Sequence, residues 1–265
     1  GYDVSGISND KNLFALSKTI NTNDSDLFLF DRTTKKTTKI NKTQSRNSAS
    51  DFSLNDSEFY YTTDASGEFS SLMKYNIKNG EHEKVLQKEW DVSGSYFTNN
   101  EKYRVTYINE DAKNVIEVLD VANNKNIELP NLDGKSITNV GFSRDETKMR
   151  FYAGGSHTPS NLYIYDLESK KQTQLSDVLN KEIEALHLVN AKVIRYPSFD
   201  GVTIPAIYYQ PLQASLDNKV PALVWVHGGP GGQTRQNYSS TIQYLVNHGY
   251  AVLAVNNRGS SGYGK

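Results

Sequence analysis

Apolar and polar residues alternate along the first two thirds of the chain in a pattern that returns at a constant interval. An apolar residue followed by a polar turn occurs at positions 7, 52, 97 and 142, which are 45 residues apart. A second feature, an alternating strand that ends in Asp or Asn, ends at positions 31, 76, 120 and 166. Two separate features that keep nearly the same period indicate an internal structural repeat.

Each repeat has the pattern of a small sheet. Hydroxyl, Asn and Asp side chains bond to nearby backbone and favour tight turns. Alternation such as that in Glu58–Tyr61 and Met149–Tyr152 favours strands with one buried face. A unit of about 45 residues with four short strands has the size of one propeller blade. We therefore predict a partial β-propeller of about four blades over residues 1–180, with a β-sandwich of evenly spaced strands as the alternative. Because the first repeat begins near residue 1, we expect further blades to precede it.

The pattern changes after residue 180. The stretch Asp177–Leu188 has a weak helical pattern, and we interpret it as a connector. Near-continuous apolar runs at 220–226 and 250–255 are typical of strands that are covered on both faces. Two strands, a buried strand, a helix and another buried strand are typical of the start of an α/β domain, which we place at residues 181–265. The predicted elements are strands at Ala191–Tyr196, Val202–Tyr209, Val220–Val226 and Tyr250–Val255, and a helix at Tyr238–Asn247.

A glycine-rich segment directly follows each of the two apolar strands. One spans Trp225–Gln233 and the other Asn256–Gly264. Glycine allows positive φ and lets a ligand approach the backbone closely, and loops at the carboxyl ends of parallel strands are where α/β sheets bind ligands. Neither segment contains Gly-Lys-Ser/Thr or a helix-opening G-x-G-x-x-G, so a phosphate site is not indicated.

Together these segments resemble the prolyl oligopeptidase family, and most closely its acylaminoacyl-peptidase and dipeptidyl-peptidase-like branch. The resemblance lies in His227–Pro230, in Gly249-Tyr250 and in Asn256–Gly264. The turn Phe199–Gly201 resembles the family's entry into its hydrolase domain, and the repeats resemble its propeller. One residue departs from the family pattern, because Asn257 stands where the family commonly has Tyr.

The resemblance implies a β-propeller followed by the N-terminal part of an α/β-hydrolase domain, and a serine-type peptidase that hydrolyses short peptides through an acyl-enzyme. It implies that Gly229 supplies an oxyanion-hole amide, that His227 and Gly228 shape the turn, and that Arg258 braces the substrate-binding side of the loop. It implies no cofactor and no metal. The expected partners are short peptide substrates. The residues neither predict nor exclude a homo-oligomer. Neither the cleavage preference nor the compartment follows from the residues.

The catalytic triad is expected to lie outside this chain. In α/β-hydrolases the order is Ser, then Asp, then His, and no Gly-x-Ser-x-Gly occurs in residues 1–265. We therefore expect a fragment that is inactive alone. The alternative is a non-catalytic propeller that binds proteins or peptides and carries a vestigial hydrolase segment. A Gly-x-Ser-x-Gly followed by Asp and His downstream of Lys265 would favour the peptidase.

Charge and composition narrow the function classes. With 29 basic and 30 acidic residues the net charge is −1, so no field recruits nucleic acid or an anionic membrane. Absence of cysteine excludes disulfides and thiolate nucleophiles within these residues. No histidines and carboxylates have metal-ligand spacing. The histidines outside the glycine-rich segments are interpreted as solvated or structural: His82, His157, His187 and His248.

Overall fold

The computed structural model describes residues 1–229 and 231–265, and these residues form five four-stranded sheets. Four of the sheets are antiparallel, and their strands neighbour each other in sequence order. Each corresponds to one 45-residue repeat, so the predicted repeat is confirmed, and we call these sheets blades 1 to 4. Their strands are β1 (Asp3–Ile7), β2 (Leu13–Asn21), β3 (Asp24–Asp31), β4 (Thr37–Lys39), β5 (Asn47–Phe52), β6 (Glu58–Thr63), β7 (Ser71–Asn76), β8 (His82–Leu86), β9 (Asp91–Phe97), β10 (Tyr103–Glu110), β11 (Lys113–Asp120), β12 (Lys125–Asn126), β13 (Ser136–Phe142), β14 (Lys148–Gly155), β15 (Thr158–Asp166) and β16 (Gln172–Gln174).

The repeated turn between the first and second strand of each blade is closed by a hydroxyl group. The side-chain oxygen of the Ser or Thr that opens the turn accepts the amide hydrogen of the residue five positions later, at 2.9–3.0 Å in all four blades. The fourth turn residue has a positive φ of 54–62° in every blade. The repeated hydroxyl in the sequence is therefore a local turn bond, as predicted. The four hydroxyl residues are Ser8, Ser53, Thr98 and Ser143.

An acidic residue in this turn also joins each blade to the preceding one. The Asp56 carboxylate accepts the Asn9 and Asp10 amide hydrogens, each at 2.9 Å. The same contact recurs 45 residues later between Glu101 and the Leu54 amide, and again where Glu146 accepts the Asn100 amide hydrogen at 2.6 Å. These charge-assisted bonds connect backbone groups of neighbouring sheets. We call the three acidic residues the blade clasp: Asp56, Glu101 and Glu146.

Replacing Glu146 by alanine is expected to lower the free energy of unfolding by about 1–3 kcal/mol, because the Asn100 amide loses its charged acceptor. Glu146 is 1% exposed. The measurement is urea unfolding followed by far-ultraviolet circular dichroism. The matched control is Glu128→Ala, which removes an exposed ion pair with Lys170 and should change stability by less than about 0.5 kcal/mol. Equal effects of the two substitutions would contradict the clasp.

Aromatic and aliphatic side chains fill the space between neighbouring blades. One buried cluster spans blades 1 and 2, and a second spans blades 3 and 4. Within these clusters the ring centroids of Phe52 and Phe59 lie 5.0 Å apart. Phe151 stacks on Tyr163 with 5.4 Å between ring centroids. The prediction that the repeated aromatic residues form blade cores is confirmed.

The fifth sheet differs from the blades in topology. Its order is β17-β18-β20-β19, and β19 and β20 are parallel. Ser239 caps the only α-helix of the described residues by accepting the Ile242 amide hydrogen at 3.3 Å, and that helix packs on β20. No helix in the described ranges is long and apolar enough to cross a membrane. The elements are β17 (Ala191–Pro197), β18 (Thr203–Tyr209), β19 (Ala222–Val226), α1 (Ser240–Asn247) and β20 (Ala251–Val255).

Two sequence expectations fail in this region. The stretch Asp177–Leu188 contains only a 3₁₀ turn at Ala185–His187, because its residues are largely exposed and no apolar face is buried. Strand β19 was expected to be covered on both faces, yet Val224 and Val226 are 67% and 69% exposed. It lies at the sheet edge and pairs only with β20. The expectation holds for β20 itself, which is largely buried.

Candidate active site

Two loops leave the same edge of the fifth sheet. The first loop, residues 227–239, follows β19, and the second loop, residues 256–264, follows β20. Because β19 and β20 are parallel neighbours, the carboxyl ends of both strands lie side by side. Such an edge is where α/β sheets place their ligand sites. The predicted site residues all lie in these two loops.

The first loop exposes its backbone at Gly228 and Gly229. Gly229 has a φ of +51°, and a Cβ added at either glycine would meet no atom within 4 Å. The Gly229 N–H makes no hydrogen bond to another described residue, whereas the Gly229 carbonyl accepts the Gly232 amide hydrogen at 2.6 Å. Among the described residues the amide at 229 therefore has no acceptor. Pro230, the last residue of the predicted His227–Pro230 motif, lies outside the described residues.

His227 connects the first loop to the second. Its Nε2 lies 2.8 Å from Ser260 Oγ, and its Nδ1 lies 3.2 Å from the Gly228 carbonyl oxygen. Since a carbonyl oxygen can only accept, a hydrogen bond at Nδ1 requires the hydrogen on that nitrogen, while Nε2 and the Ser260 hydroxyl share the second hydrogen bond. Sequence reasoning placed no hydroxyl against His227. Ser260 lies in the Asn256–Gly264 segment that carries the family resemblance, but the sequence analysis predicts no role for it.

Asn256 makes a second connection between the loops. Its side-chain oxygen accepts the Thr234 amide hydrogen at 2.7 Å, and its Nδ2 donates to the Thr234 carbonyl at 3.0 Å. Asn256 is 1% exposed, and the Ser261 amide donates to the Gly232 carbonyl at 3.0 Å. Asn256 also belongs to this segment, and no role is predicted for it from the sequence. These buried bonds hold the two loops together.

Arg258 reaches away from the first loop. Its guanidinium donates to the Asp200 carboxylate and lies 5.5 Å from the ring centroid of Phe199, which is 98% exposed. The hydrogen bond from Arg258 lowers the pKa of Asp200 below its ordinary value. Both partners belong to the turn between β17 and β18, so Arg258 connects the second loop to that turn.

A cleft of about 890 Å³ separates this sheet edge from blades 1 and 2. That volume is in the range of small-molecule and peptide sites, about 300–1,000 Å³. Among the predicted site residues, Arg258 lines the cleft, while Gly231 lines it two residues after Gly229. Polar blade residues form the opposite wall, including Thr22, Gln44, Arg46 and Asp64.

The other histidines lie away from the two loops. His82 accepts or donates a hydrogen bond with the Tyr61 hydroxyl at 2.9 Å, and burial lowers the pKa of His82. His248 Nδ1 lies 2.9 Å from the Tyr244 carbonyl at the end of α1. In the ranges 1–229 and 231–265 no three His, Asp or Glu side chains are grouped as metal ligands.

Comparison with known proteins decides the family. Residues 4–178 match the family model described as "Prolyl oligopeptidase, N-terminal beta-propeller domain", which is more than half of the chain. The chain belongs to the prolyl oligopeptidase family. The predicted resemblance is therefore confirmed, and the repeats form a β-propeller of that family rather than a β-sandwich.

Relatives within the prolyl oligopeptidase family are considerably longer. Dipeptidyl aminopeptidase BIII of Pseudoxanthomonas mexicana is 27% identical over 219 residues, which cover 79% of this chain and 32% of that protein. A puromycin-hydrolyzing peptidase of Mycobacterium tuberculosis superposes with a TM-score of 0.82 at 15% identity, over 100% of this chain and 42% of the other. Dipeptidyl peptidase 4 of Porphyromonas gingivalis superposes with a TM-score of 0.76 at 18% identity, over 97% and 38%. At these identities the superpositions show a shared fold.

Proposed function

We propose that this chain is part of a serine-type peptidase that hydrolyses short peptides through an acyl-enzyme. In this proposal residues 1–180 are propeller blades and residues 181–265 begin an α/β-hydrolase domain. The observation that carries it is the free Gly229 amide, which follows the third strand of the fifth sheet and precedes its helix. In α/β-hydrolases the loop between the third strand and the first helix donates a backbone N–H to the oxyanion hole.

The chemistry needs a donor that is fixed before the reaction. When a serine hydroxyl attacks a peptide carbonyl, negative charge develops on the carbonyl oxygen, and the Gly229 N–H would donate to it. His227 and Gly228 would hold the turn in shape, since the imidazole is anchored on Ser260. Arg258 would contact the peptide from the cleft wall, where Asp200 holds its guanidinium. The serine nucleophile, its histidine base and the aspartate of the triad would come from outside residues 1–265.

The uncovered strand β19 supports this assignment. Its apolar side chains and its free edge suit a further strand beside it, and the nucleophile of an α/β-hydrolase sits at the end of such a strand. A serine on a neighbouring strand would reach the same carboxyl edge as Gly229. The nucleophile and the oxyanion donor would then face one carbonyl group.

The contact between His227 and Ser260 favours a second candidate, in which Ser260 is itself a nucleophile with His227 as its base. A hydroxyl within hydrogen-bond distance of an imidazole is the arrangement that activates serine. Two observations argue against it. Ser260 is only 6% exposed, and the second ring nitrogen faces the carbonyl of Gly228 rather than a carboxylate that would stabilise a charged ring. We interpret the pair as a clip between the loops.

A fluorophosphonate probe separates these candidates. Purified residues 1–265 should remain unlabelled and leave chromogenic peptides intact, because no activated serine is present. The proposal requires a whole polypeptide that extends beyond Lys265, and this polypeptide should be labelled once, at a serine outside residues 1–265. Mass spectrometry locates the label, and Ser260→Ala serves as the matched control, in which the label should stay on the same serine outside residues 1–265.

Each contrary outcome points to a different function. A label on Ser260 within residues 1–265 would place the nucleophile in this chain and overturn the clip. A whole polypeptide that neither reacts with the probe nor cleaves peptides would favour a non-catalytic binding module.

A further inference from the structure

The hairpin that joins β10 and β11 in blade 3 reaches into the fifth sheet. Its two-residue turn is Asp111-Ala112, with φ of 47° and 64°. Positive φ at both turn residues is the type I′ geometry that suits a hairpin, but alanine adopts it at a cost of about 1–2 kcal/mol. Ala112 is 1% exposed and packs with Ile207, Tyr209 and Ile242 of the fifth sheet and its helix. Such a strained turn persists because docking holds it in place.

The hairpin binds the first loop directly after its glycines. The Gln236 amide donates to the Ala112 carbonyl at 3.0 Å, and Gln236 Nε2 donates to the Asp111 carbonyl at 2.9 Å. Asn109, which is 4% exposed, donates through Nδ2 to Gln233 Oε1 at 3.0 Å. Three hydrogen bonds therefore run between a propeller blade and a span of four loop residues.

Two charged groups extend the same contact. Arg235 donates to Asn114 Oδ1, and Arg195 of β17 forms a 2.8 Å ion pair with Asp111. Burial lowers the pKa of Arg235. The side chain of Asn109 also lies against the second loop, because a Cβ added at Gly262 would come within 2.2 Å of Asn109 Nδ2. One hairpin thus touches both loops that form the candidate site.

Only three residues lie between Gly229 and Gln233, the first loop residue that the hairpin binds. The Gly229 carbonyl accepts the Gly232 amide hydrogen, and Gly232 directly precedes Gln233. A shift of Gln233 is passed on to the Gly229 carbonyl through this hydrogen bond, because Gly232 is covalently joined to Gln233. An oxyanion donor loses effect when it is displaced, because it must lie about 2.7–3.1 Å from the charged oxygen.

We propose that the blade 3 hairpin positions the Gly229 amide, so that docking of the propeller assembles the oxyanion site. This inference rests on the proposed peptidase function. The hairpin residues touch neither substrate nor reacting atoms, so they are positioning residues. Undocking of blade 3 would release the first loop at Gln233 and Gln236, and the site would lose its donor while the two domains stay folded.

The hairpin of blade 4 provides a matched control. Ser156 lies in the turn between β14 and β15, and its hydroxyl oxygen accepts the Ala191 amide hydrogen at 2.8 Å. Its carbonyl accepts a hydrogen bond from Gln243 of α1 at 2.8 Å. This hairpin therefore contacts the fifth sheet and its helix but not the first loop. A purely structural interface would respond alike to changes in either hairpin.

The test compares Asn109→Ala and Gln236→Glu with Ser156→Ala in the whole polypeptide. Asn109→Ala and Gln236→Glu each remove a donor, and each should lower kcat on a chromogenic peptide about tenfold while KM changes less than about twofold. Ser156→Ala should leave kcat within about twofold of the wild type. In residues 1–265, hydrogen exchange of the 231–236 amides should accelerate in the first two variants and stay unchanged in Ser156→Ala.

The outcomes separate this inference from the proposed function. Wild-type hydrolysis with kcat unaffected by Asn109→Ala, or lowered equally by Ser156→Ala, would overturn the positioning role and leave the peptidase intact. Unchanged exchange at residues 231–236 in Asn109→Ala would overturn it as well. A wild-type polypeptide that hydrolyses no peptide would refute the peptidase function, and the inference with it.

Discussion

Replacing Gly232 by alanine is expected to reduce kcat of the whole polypeptide by about 10²–10³, the loss that follows removal of one oxyanion donor. A Cβ at this position would lie 2.4 Å from the Gly228 carbonyl oxygen and 2.9 Å from His227 Nδ1. The first contact is with backbone, so the turn itself must move. That movement displaces the Gly229 amide and strains the ring that Ser260 holds. The measurement is steady-state hydrolysis of a chromogenic peptide.

Gly94→Ala is the matched control for this substitution. Gly94 lies in β9 of blade 3, and a Cβ there would meet no atom within 4 Å. Its substitution should leave kcat unchanged, and both variants should keep the circular dichroism of the wild type. If Gly232→Ala retains full kcat, the turn at Gly229 does not supply the donor.

The glycine-rich segments illustrate how far the sequence reaches into the site. Residue type predicted close backbone approach and a donor loop, and the family resemblance singled out Gly229. The sequence could not show that a Cβ at Gly229 would meet open space, whereas a Cβ at Gly232 would meet the Gly228 carbonyl of the same loop. Nor could it place Ser260 against His227 or Asn256 on Thr234, because these contacts join residues 22–33 positions apart through the parallel pairing of two strands.

The blades show the same division between local and distant causes. The repeat period and the turn hydroxyls are local patterns, so the sequence predicted them correctly. The acidic residue of each turn also read as local, yet its carboxylate bonds to a turn in the preceding blade. Likewise, the apolar run of β19 predicted a strand but not its exposure. Periodicity reports which face of a strand is apolar, whereas coverage depends on which elements lie beside it.

Helix α1 contains the clearest polar exception. The helix buries the apolar residues Ile242 and Val246, and the polar Gln243 between them is buried as well, at 3% exposure. Gln243 Oε1 accepts the Val189 amide hydrogen at 3.0 Å, and its Nε2 donates to the carbonyls of Val189 and Ser156 at 2.8 Å. One amide therefore satisfies three buried backbone groups, and it joins the helix to blade 4 and to the segment before β17.

Replacing Gln243 by leucine is expected to lower the free energy of unfolding by about 3 kcal/mol or more. The leucine fills the space, but three backbone groups lose their partner, and each buried unsatisfied group costs about 1–3 kcal/mol. The measurement is urea unfolding followed by tryptophan fluorescence, since Trp225 lies in the fifth sheet and reports on this region. The fifth sheet should unfold at lower urea than the blades, because one lost bond joins α1 to blade 4 and the other two join α1 to the segment before β17.

Gln172→Leu is the control, because Gln172 lies on an exposed edge strand of blade 4. It should change stability by less than about 0.5 kcal/mol, as surface substitutions usually do. A second variant, Gln243→Glu, keeps an acceptor for the Val189 amide but loses both donors and buries a charge, so it should be at least as unstable as Gln243→Leu. If Gln243→Leu instead matches the wild type, the Gln243 bonds do not hold the fifth sheet to the propeller, and the other contacts with blades 3 and 4, such as those of Ala112 and Ser156, are sufficient.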